Sequence, residues 1–454
     1  MASLTPQPAA ADVTSDAGIA TPLDAVRPAS GSGAPAPVAG RSGTALVVAY
    51  VAAYFALYIA LITPVLSTLA LRVSALSTPD TRASNLALVT GVGAFFAFVA
   101  NPLAGALSDR TTSRLGMRRP WLLWGVLLGT VGLLLIAIAP NIGVVVVGWA
   151  IAQTAFNGTQ AALQAVLPDQ VDERQRARVS GWLGIAQNLA PLVGVAIASA
   201  LTSAGVADFW MIMLPTAIAI VGVLALVAVL KDRRLSKAEA GSFHLWQFVK
   251  GFWVSPRKHP DFAWAFVGRF MMLFAFALFS NYQVYYFQDR FGFDAPTALS
   301  WQLRLMVVQA LVLLVAASAG GAVSDRTGRR KVFVIVSTVL AGAGLLVFAF
   351  AGTPNLLYVG SGLFGAGLGA YFAVDLALVT DVLPNRETEA AKNMGVFNIA
   401  NALPQSLAPA CAPLLLALGA AAGDNGNNYA AMFTVGAVVA IVGAASTMFI
   451  KGAR

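Results

Sequence analysis

The sequence predicts an all-α integral membrane protein with twelve transmembrane helices in two pseudo-symmetric six-helix bundles. Three observations predict it. Hydrophobic residues make up 58% of the 454-residue chain and charged residues 11%, against about 25% charge in an ordinary soluble domain. Apolar runs of near bilayer length alternate with short connectors, and a span needs about 20 such residues. The tripeptide Ser-Asp-Arg occurs twice, at Ser108-Asp109-Arg110 and Ser324-Asp325-Arg326, each time after a long apolar run. A glycine precedes each aspartate by one helical turn (Gly105, Gly321) and a basic cluster follows. Two copies half a chain apart indicate an internal duplication, each marking the hairpin between the second and third helix of its half.

Residues 1–43 are rich in Ala, Pro, Ser and Gly without hydrophobic periodicity, which predicts a disordered cytoplasmic tail. They lack the basic start and short apolar core of a signal peptide. Candidate spans follow at 44–71, 85–107, 121–139, 143–166, 179–202 and 209–230, giving an N-terminal bundle over 44–230. The connector 231–261 opens with Lys231-Asp232-Arg233-Arg234. Trp246, Val249 and Trp253 then recur near helical spacing beside Phe252, the pattern of an amphipathic helix on the inner surface; a flexible linker reads equally well. Further spans at 262–288, 299–323, 332–352, 355–381, 394–419 and 427–450 give a C-terminal bundle over 262–454.

Charge orients the bundle. Of the 29 Lys and Arg, only Arg72, Arg82, Arg290 and Arg304 fall in connectors on one side, and Arg269 falls inside a span. All others sit on the opposite side or in the terminal segments, so the positive-inside rule places both termini in the cytoplasm of a cell whose inner (plasma) membrane the chain spans. The net charge of +9 then matches anionic lipid of the inner leaflet, and nucleic acid is not expected as a partner. The single cysteine, Cys411, has no intrachain disulfide partner. His244 and His259 share one polar loop without a metal-ligand spacing. No nucleophile, base and acid converge, and no phosphate-cradling loop is visible. The chain therefore reads as neither an enzyme nor a cofactor protein.

The second repeat, Gly321-Ala-Val-Ser-Asp325-Arg326-Thr-Gly328-Arg329-Arg330-Lys331, resembles the signature loop of the major facilitator superfamily. The first adds Thr112-Ser113-Arg114-Leu115 before Gly116-Met117-Arg118-Arg119-Pro120-Trp121 and is preceded by Asn101-Pro102. That longer form resembles the sucrose–proton symporters and the related glycoside–pentoside–hexuronide cation symporters. A second pair supports the duplication: Leu167-Pro168-Asp169, Gly181 and Ala190-Pro191 echo Leu383-Pro384-Asn385, Gly395 and Leu403-Pro404. The resemblance implies a transport path between the halves near the midplane. It also implies a gating role for Gly105, Asp109, Arg110, Gly321, Asp325 and Arg326, the glycines permitting close helix approach and the aspartates accepting hydrogen bonds across the cytoplasmic face. Sodium-coupled relatives carry aspartates where this chain has Ala97 and Asn101, so a carboxylate sodium site cannot form there. The fourth span lacks the internal acid and arginine of sucrose carriers, with only Asp169 at its inner end.

A charge at a helix centre costs about 2.5–3.5 kcal/mol on insertion scales, so charged residues within spans need a partner or a wet cavity. Arg269 lies about 12 Å along its helix from Asp261, and Asp375 about 9 Å from Asp381, at 1.5 Å per residue. Their depth is similar, and the resemblance implies that both helices line the cavity, so they are expected to face one another, with Asp375 as proton-coupling acid and Arg269 modulating it; a static ion pair or a snorkelling arginine reads the same way. In the fourth span Gln153, Asn157, Gln160 and Gln164 fall on one face, lining substrate or joining helices. Tyr50, Tyr54 and Tyr58 share a face of the first span, offering apolar rings with hydroxyl tips. Asn281, Tyr282, Gln283, Tyr285, Tyr286, Gln309, Asn398, Asn401 and Gln405 are weaker substrate-binding candidates of the same chemistry.

These readings converge on a monomeric secondary transporter working by alternating access, with a small solute and the lipid bilayer as partners. Proton-coupled symport of a sugar or glycoside, driven by the proton gradient, is the expected activity. The alternative is a proton-driven multidrug or metabolite exporter with the same signature loops.

Overall fold

The computed structural model describes residues 43–236, 238–240, 246, 254–327, 330–384, 390–419 and 426–450. Within them, twelve helices are long and apolar enough to cross a membrane. These are α1 (Thr44–Ala75), α2 (Arg82–Ser108), α3 (Arg119–Ala137), α4 (Ile142–Gln170), α5 (Glu173–Ser203) and α6 (Asp208–Val229) in one bundle. The other bundle holds α7 (Pro260–Phe291), α8 (Ala295–Thr327), α9 (Arg330–Phe350), α10 (Leu356–Asp381), α11 (Ala390–Ala417) and α12 (Tyr429–Ser446). The chain is thus an all-α, multi-pass membrane protein of two pseudo-symmetric bundles. The tail expected over 1–43 lies outside the described residues save Gly43, and so does the expected amphipathic helix apart from Trp246.

Several helices outrun the spans read from hydropathy, because a helix continues through polar residues after the apolar core ends. α5 begins at Glu173, capped by the Asp172 carboxylate, which accepts from the Arg174 N–H at 2.9 Å. α7 continues to Phe291, taking in Asp289 and Arg290, and stops where Gly292 adopts φ +66°. α1 reaches Ala75 by passing Pro64 through a π-helical turn over Pro64–Thr68; the wider turn absorbs the carbonyl that proline leaves without a donor.

The duplication is visible in the packing. α1 lies on α5 and α6 as α7 lies on α11 and α12. α4 lies against α2 and α3 as α10 lies against α8 and α9. One equivalent contact depends on glycine in both halves: a Cβ on Gly132 would stand 2.5 Å from the Gly148 carbonyl oxygen, and one on Gly344 2.8 Å from that of Gly360. No side chain fits there, so the backbones of α3 and α4, and of α9 and α10, touch. The halves meet through α2 on α11 and α5 on α8, again an equivalent pair. Large apolar side chains such as Trp124, Val221, Val315 and Leu414 remain exposed, as a lipid-facing surface requires.

The α2–α3 and α8–α9 hairpins, six helices apart, lie on one face of the bundle, called here the signature face. The turns after α1, α7 and α11 lie on the distal face.

Candidate functional site

In the first bundle the three tyrosines stand one turn apart on α1, and α4 runs beside them. Tyr50 is completely buried and donates to the Leu163 carbonyl at 2.8 Å, which makes it a strut between α1 and α4. Tyr54 and Tyr58 stack at 4.8 Å between ring centroids, with hydroxyls 3.4 Å apart. Gln160 donates to the Tyr58 hydroxyl at 2.5 Å. Tyr54 lies 3.4 Å from the Oε1 of Gln187 on α5. A phenol has one proton to give, so Tyr54 serves either Tyr58 or Gln187 at any moment. One turn away, Asn157 donates to Gln153 Oε1 at 2.9 Å. Gln164 is half-buried on the same helix face. Phenols and amides from α1, α4 and α5 thus form one neutral hydrogen-bonding surface.

The second bundle places its charge differently. The Arg269 guanidinium on α7 forms an ion pair with Asp375 on α10. Its Nε donates to Asn401 Oδ1 on α11 at 2.6 Å, and its charge lies 4.9 Å from the Phe397 ring centroid. Asp375 is 3% exposed. Three helices therefore meet on one partly buried cation.

The two faces differ in how the halves are joined. On the distal face Arg82 of α2 forms an ion pair with Asp289 of α7. Tyr282 is 3.3 Å from the Ala83 carbonyl, Tyr285 donates to that of Ala70 at 2.8 Å, and Gln302 to that of Leu66 at 2.9 Å. Among the described residues every hydrogen bond between the halves lies on this face, so this conformation is latched distally.

On the signature face, among the described residues, the Arg118 network lies inside the first bundle. Arg118, 5% exposed, binds Asp109 at 2.7 Å, Asp169 at 2.8 Å and the Ser108 hydroxyl at 2.8 Å. Burial works against its charge, and the two carboxylates outweigh burial, leaving the guanidinium pKa above its ordinary value. The Asp232 carboxylate accepts from the backbone N–H groups of Arg118 and Arg119 at 2.7 Å each, closing the N-terminus of α3. Arg110 donates to Ala106 of its own helix at 2.8 Å, and Arg326 is exposed.

In this conformation a Cβ on Gly105 would meet the Ala161 Cβ at 3.8 Å and one on Gly321 that of Ala373 at 3.8 Å, ordinary van der Waals contact between α2 and α4 and between α8 and α10. The Asp325 and Asn398 side chains lie outside the described residues. Asn281 donates into its own helix, to Ala277 at 2.8 Å. Gln283 accepts from Gln302 at 3.2 Å in the distal seal, and Tyr286 donates to the Phe348 carbonyl at 2.7 Å inside the second bundle. Gln309 is half-buried where α8 meets Gly365.

Sequence reading missed Gln187, Gln302, Arg82 with Asp289, and the Arg118 hub. Gln187 and Gln302 carried a signal, an amide within an apolar run. Asp289 was lost because hydropathy ended the seventh span at 288.

Comparison with known proteins follows this geometry. The chain matches the family model of the Major Facilitator Superfamily over residues 44–303 and 295–452. It is 28% identical over 138 residues to the general alpha-glucoside permease of Schizosaccharomyces pombe, covering 27% of this chain and 23% of that protein. The match thus spans about a quarter of that relative's length. Among solved structures, the nucleoside transporter NupG superposes with TM-score 0.71 at 14% identity, covering 89% of this chain and 99% of that one. A bacterial homologue of the human lysosomal transporter Spinster, inward-facing and unoccupied, gives 0.62 at 13% identity, with 89% and 94% covered. The human organic anion transporter MFSD10 gives 0.60 at 14% identity, with 89% and 99% covered. At these identities the likeness is one of fold.

Proposed function

The chain belongs to the Major Facilitator Superfamily and is a secondary transporter working by alternating access, and from that premise we propose that it is a proton-driven carrier of a small polar metabolite, moved outward. The observation that carries this reading is the pairing of two unlike surfaces: a neutral phenol–amide surface in one bundle and the Arg269–Asp375 pair in the other. Amides and phenols both donate and accept, which suits a solute rich in hydroxyls or ring nitrogens rather than a lipophilic one. Asp375 is the acid that gains and loses the driving proton, and Arg269 is released toward the solute when it does. That the named relatives carry a nucleoside, an organic anion and an alpha-glucoside supports a metabolite of broad polar class. In this orientation both termini and the signature face lie in the cytoplasm, and the distal latch seals the outside.

A second reading, proton-coupled uptake of a sugar or glycoside, is favoured by one observation. The stacked Tyr54 and Tyr58 rings offer an apolar face beside amides, which is how proteins grip the C–H side of a sugar ring.

Proteoliposomes loaded with labelled nucleosides, organic anions or sugars and given an imposed proton gradient separate the two. Gradient-driven movement of a nucleoside or anion against its concentration supports the first reading, and inward accumulation of a sugar alone replaces it with the second. Replacing Asp375 with Asn is expected to abolish accumulation while solute exchange survives. Retained accumulation removes Asp375 from the coupling role.

A further inference from the structure

The hydroxyl protons of the phenol–amide surface can be counted, and one of them is left over. A phenol gives one hydrogen bond and takes up to two. Tyr50, completely buried, spends its proton on the Leu163 carbonyl at 2.8 Å. Tyr54, 3% exposed, has two acceptors in reach, the Tyr58 oxygen and Gln187 Oε1, each at 3.4 Å. Tyr58, 6% exposed, is the acceptor in both of its hydrogen bonds, from Gln160 Nε2 at 2.5 Å and from Tyr54. Whichever way Tyr54 turns, the proton of Tyr58 has no acceptor among the described residues.

That proton is buried enough to need a partner and placed where one can arrive. A buried donor without an acceptor carries the full cost of its lost solvation. Its neighbours Gln160 and Gln187 are half-buried and exposed, so the surface is accessible here, whereas the Tyr50 end is closed. The bond from Gln160 polarises the Tyr58 hydroxyl and makes its O–H the stronger donor. Gln160 spends one amide hydrogen on Tyr58 and keeps its carbonyl oxygen unspent among the described residues. Tyr58 and Gln160 therefore set a free donor beside a free acceptor.

We propose that the Tyr58 hydroxyl is the donor this surface keeps for its solute, and that the solute is a neutral molecule presenting an acceptor there, with a donor beside it for Gln160 Oε1. The C=O and N–H edge of a lactam fits both groups, and so does a pair of sugar hydroxyls. An amine cation has nothing to offer Tyr58 and is excluded. This rests on the reading above for the place of the solute, and adds which way its hydrogen bonds run. Tyr58 is then the residue that selects for an acceptor, because a solute without one leaves the buried proton unmet.

The first arm of the test needs no solute. Protein labelled with carbon-13 at the tyrosine ζ position is placed in lipid nanodiscs in equal parts of light and heavy water. Its lines are assigned through Tyr50→Phe and Tyr58→Phe. A hydroxyl whose proton is held by the protein exchanges slowly and gives two isotope-shifted lines, whereas one open to water gives a single averaged line. Tyr50 is expected to give two lines and Tyr58 one. Two lines for Tyr58 mean that the Gln160 amide has turned over and taken the proton, and like behaviour of the two hydroxyls overturns the proposal. The second arm measures binding of labelled uridine, and of methyl α-glucoside should uridine not bind. Analogues lacking one oxygen at a time are compared in the unmodified protein and in Tyr58→Phe. One analogue is expected to bind at least about fivefold more weakly than the complete solute in the unmodified protein, the equivalent of one hydrogen bond, and no more weakly in Tyr58→Phe. Losses that are the same in both proteins for every analogue overturn the proposal. If neither probe binds, the reading of a small polar metabolite fails, and the exchange of the Tyr58 hydroxyl still decides whether its proton is free.

Discussion

The two bundles descend from one plan yet spend polarity in opposite ways. In the first, the interior polar groups are neutral, and each phenol or amide has another within reach: Gln160 with Tyr58, Tyr54 with Gln187, Asn157 with Gln153. In the second, the interior is organised about a single cation, Arg269, shared among Asp375, Asn401 and the Phe397 ring. A neutral network tolerates the loss of one bond, because what is left unpaired is an uncharged amide or phenol. A buried ion pair does not, because whichever member remains is a charge in a poorly solvated place. The difference teaches where to look for each property: recognition of a polar solute belongs to the tolerant surface, and a change of state belongs to the intolerant one.

The most forceful way to break this comparison is Arg269→Gln. It strands the Asp375 carboxylate at 3% exposure, and removing one partner of a buried pair costs about 3–5 kcal/mol. Thermal unfolding in detergent is expected to fall steeply, and the double replacement Arg269→Gln with Asp375→Asn to regain most of the loss. An unchanged melting temperature in the single variant means that water already reaches the pair, and the contrast between the bundles disappears.

How much of this was legible beforehand follows the same division. Helices and the duplication were legible because apolar runs and a repeated Ser-Asp-Arg report directly on lipid and on hairpins. Arg269 and Asp375 were legible as a pair because charges in apolar runs are rare and their depths could be counted. The Arg82–Asp289 latch was not, because both residues sit at helix ends, where hydropathy cannot tell a connector from a helix that continues past the bilayer core. The hub at Arg118 was hidden for another reason. In the sequence it is one of several arginines in a basic cluster, and only the fold reveals that Asp109 and Asp169 converge on it. The amide stripe of α4 predicted a shared face, but not that Gln187 of α5 completes it.

A smaller effect tests whether the signature face is as self-contained as it looks. Asp232 caps the start of α3 from the segment that leaves α6, taking the N–H groups of Arg118 and Arg119. Asp232→Ala is expected to cost about 1 kcal/mol, the usual loss at a helix N-terminus. Hydrogen exchange at residues 116–119 is expected to quicken while the distal face stays protected. Faster exchange on both faces means that the two ends are coupled more tightly than the contacts show.

The finest distinction lies between two tyrosines two helical turns apart. Tyr50 donates to a backbone carbonyl, and Tyr58 receives from Gln160 inside the neutral surface. Tyr50→Phe removes the cross-helix bond to the Leu163 carbonyl, which keeps only the N–H of its own helix, so it is expected to lower stability by about 1 kcal/mol and to leave the KM for transported solute unchanged. Tyr58→Phe removes a hydroxyl whose donor, Gln160, is half-buried and can turn to water. Stability is expected to hold, while KM rises about fivefold, the equivalent of one hydrogen bond of about 1 kcal/mol. Transport kinetics and melting measured on the same two preparations check both halves of the expectation. If the two variants exchange behaviours, Tyr50 belongs to the solute path and Tyr58 to the packing, and the surface proposed for recognition moves two turns along α1 toward the signature face.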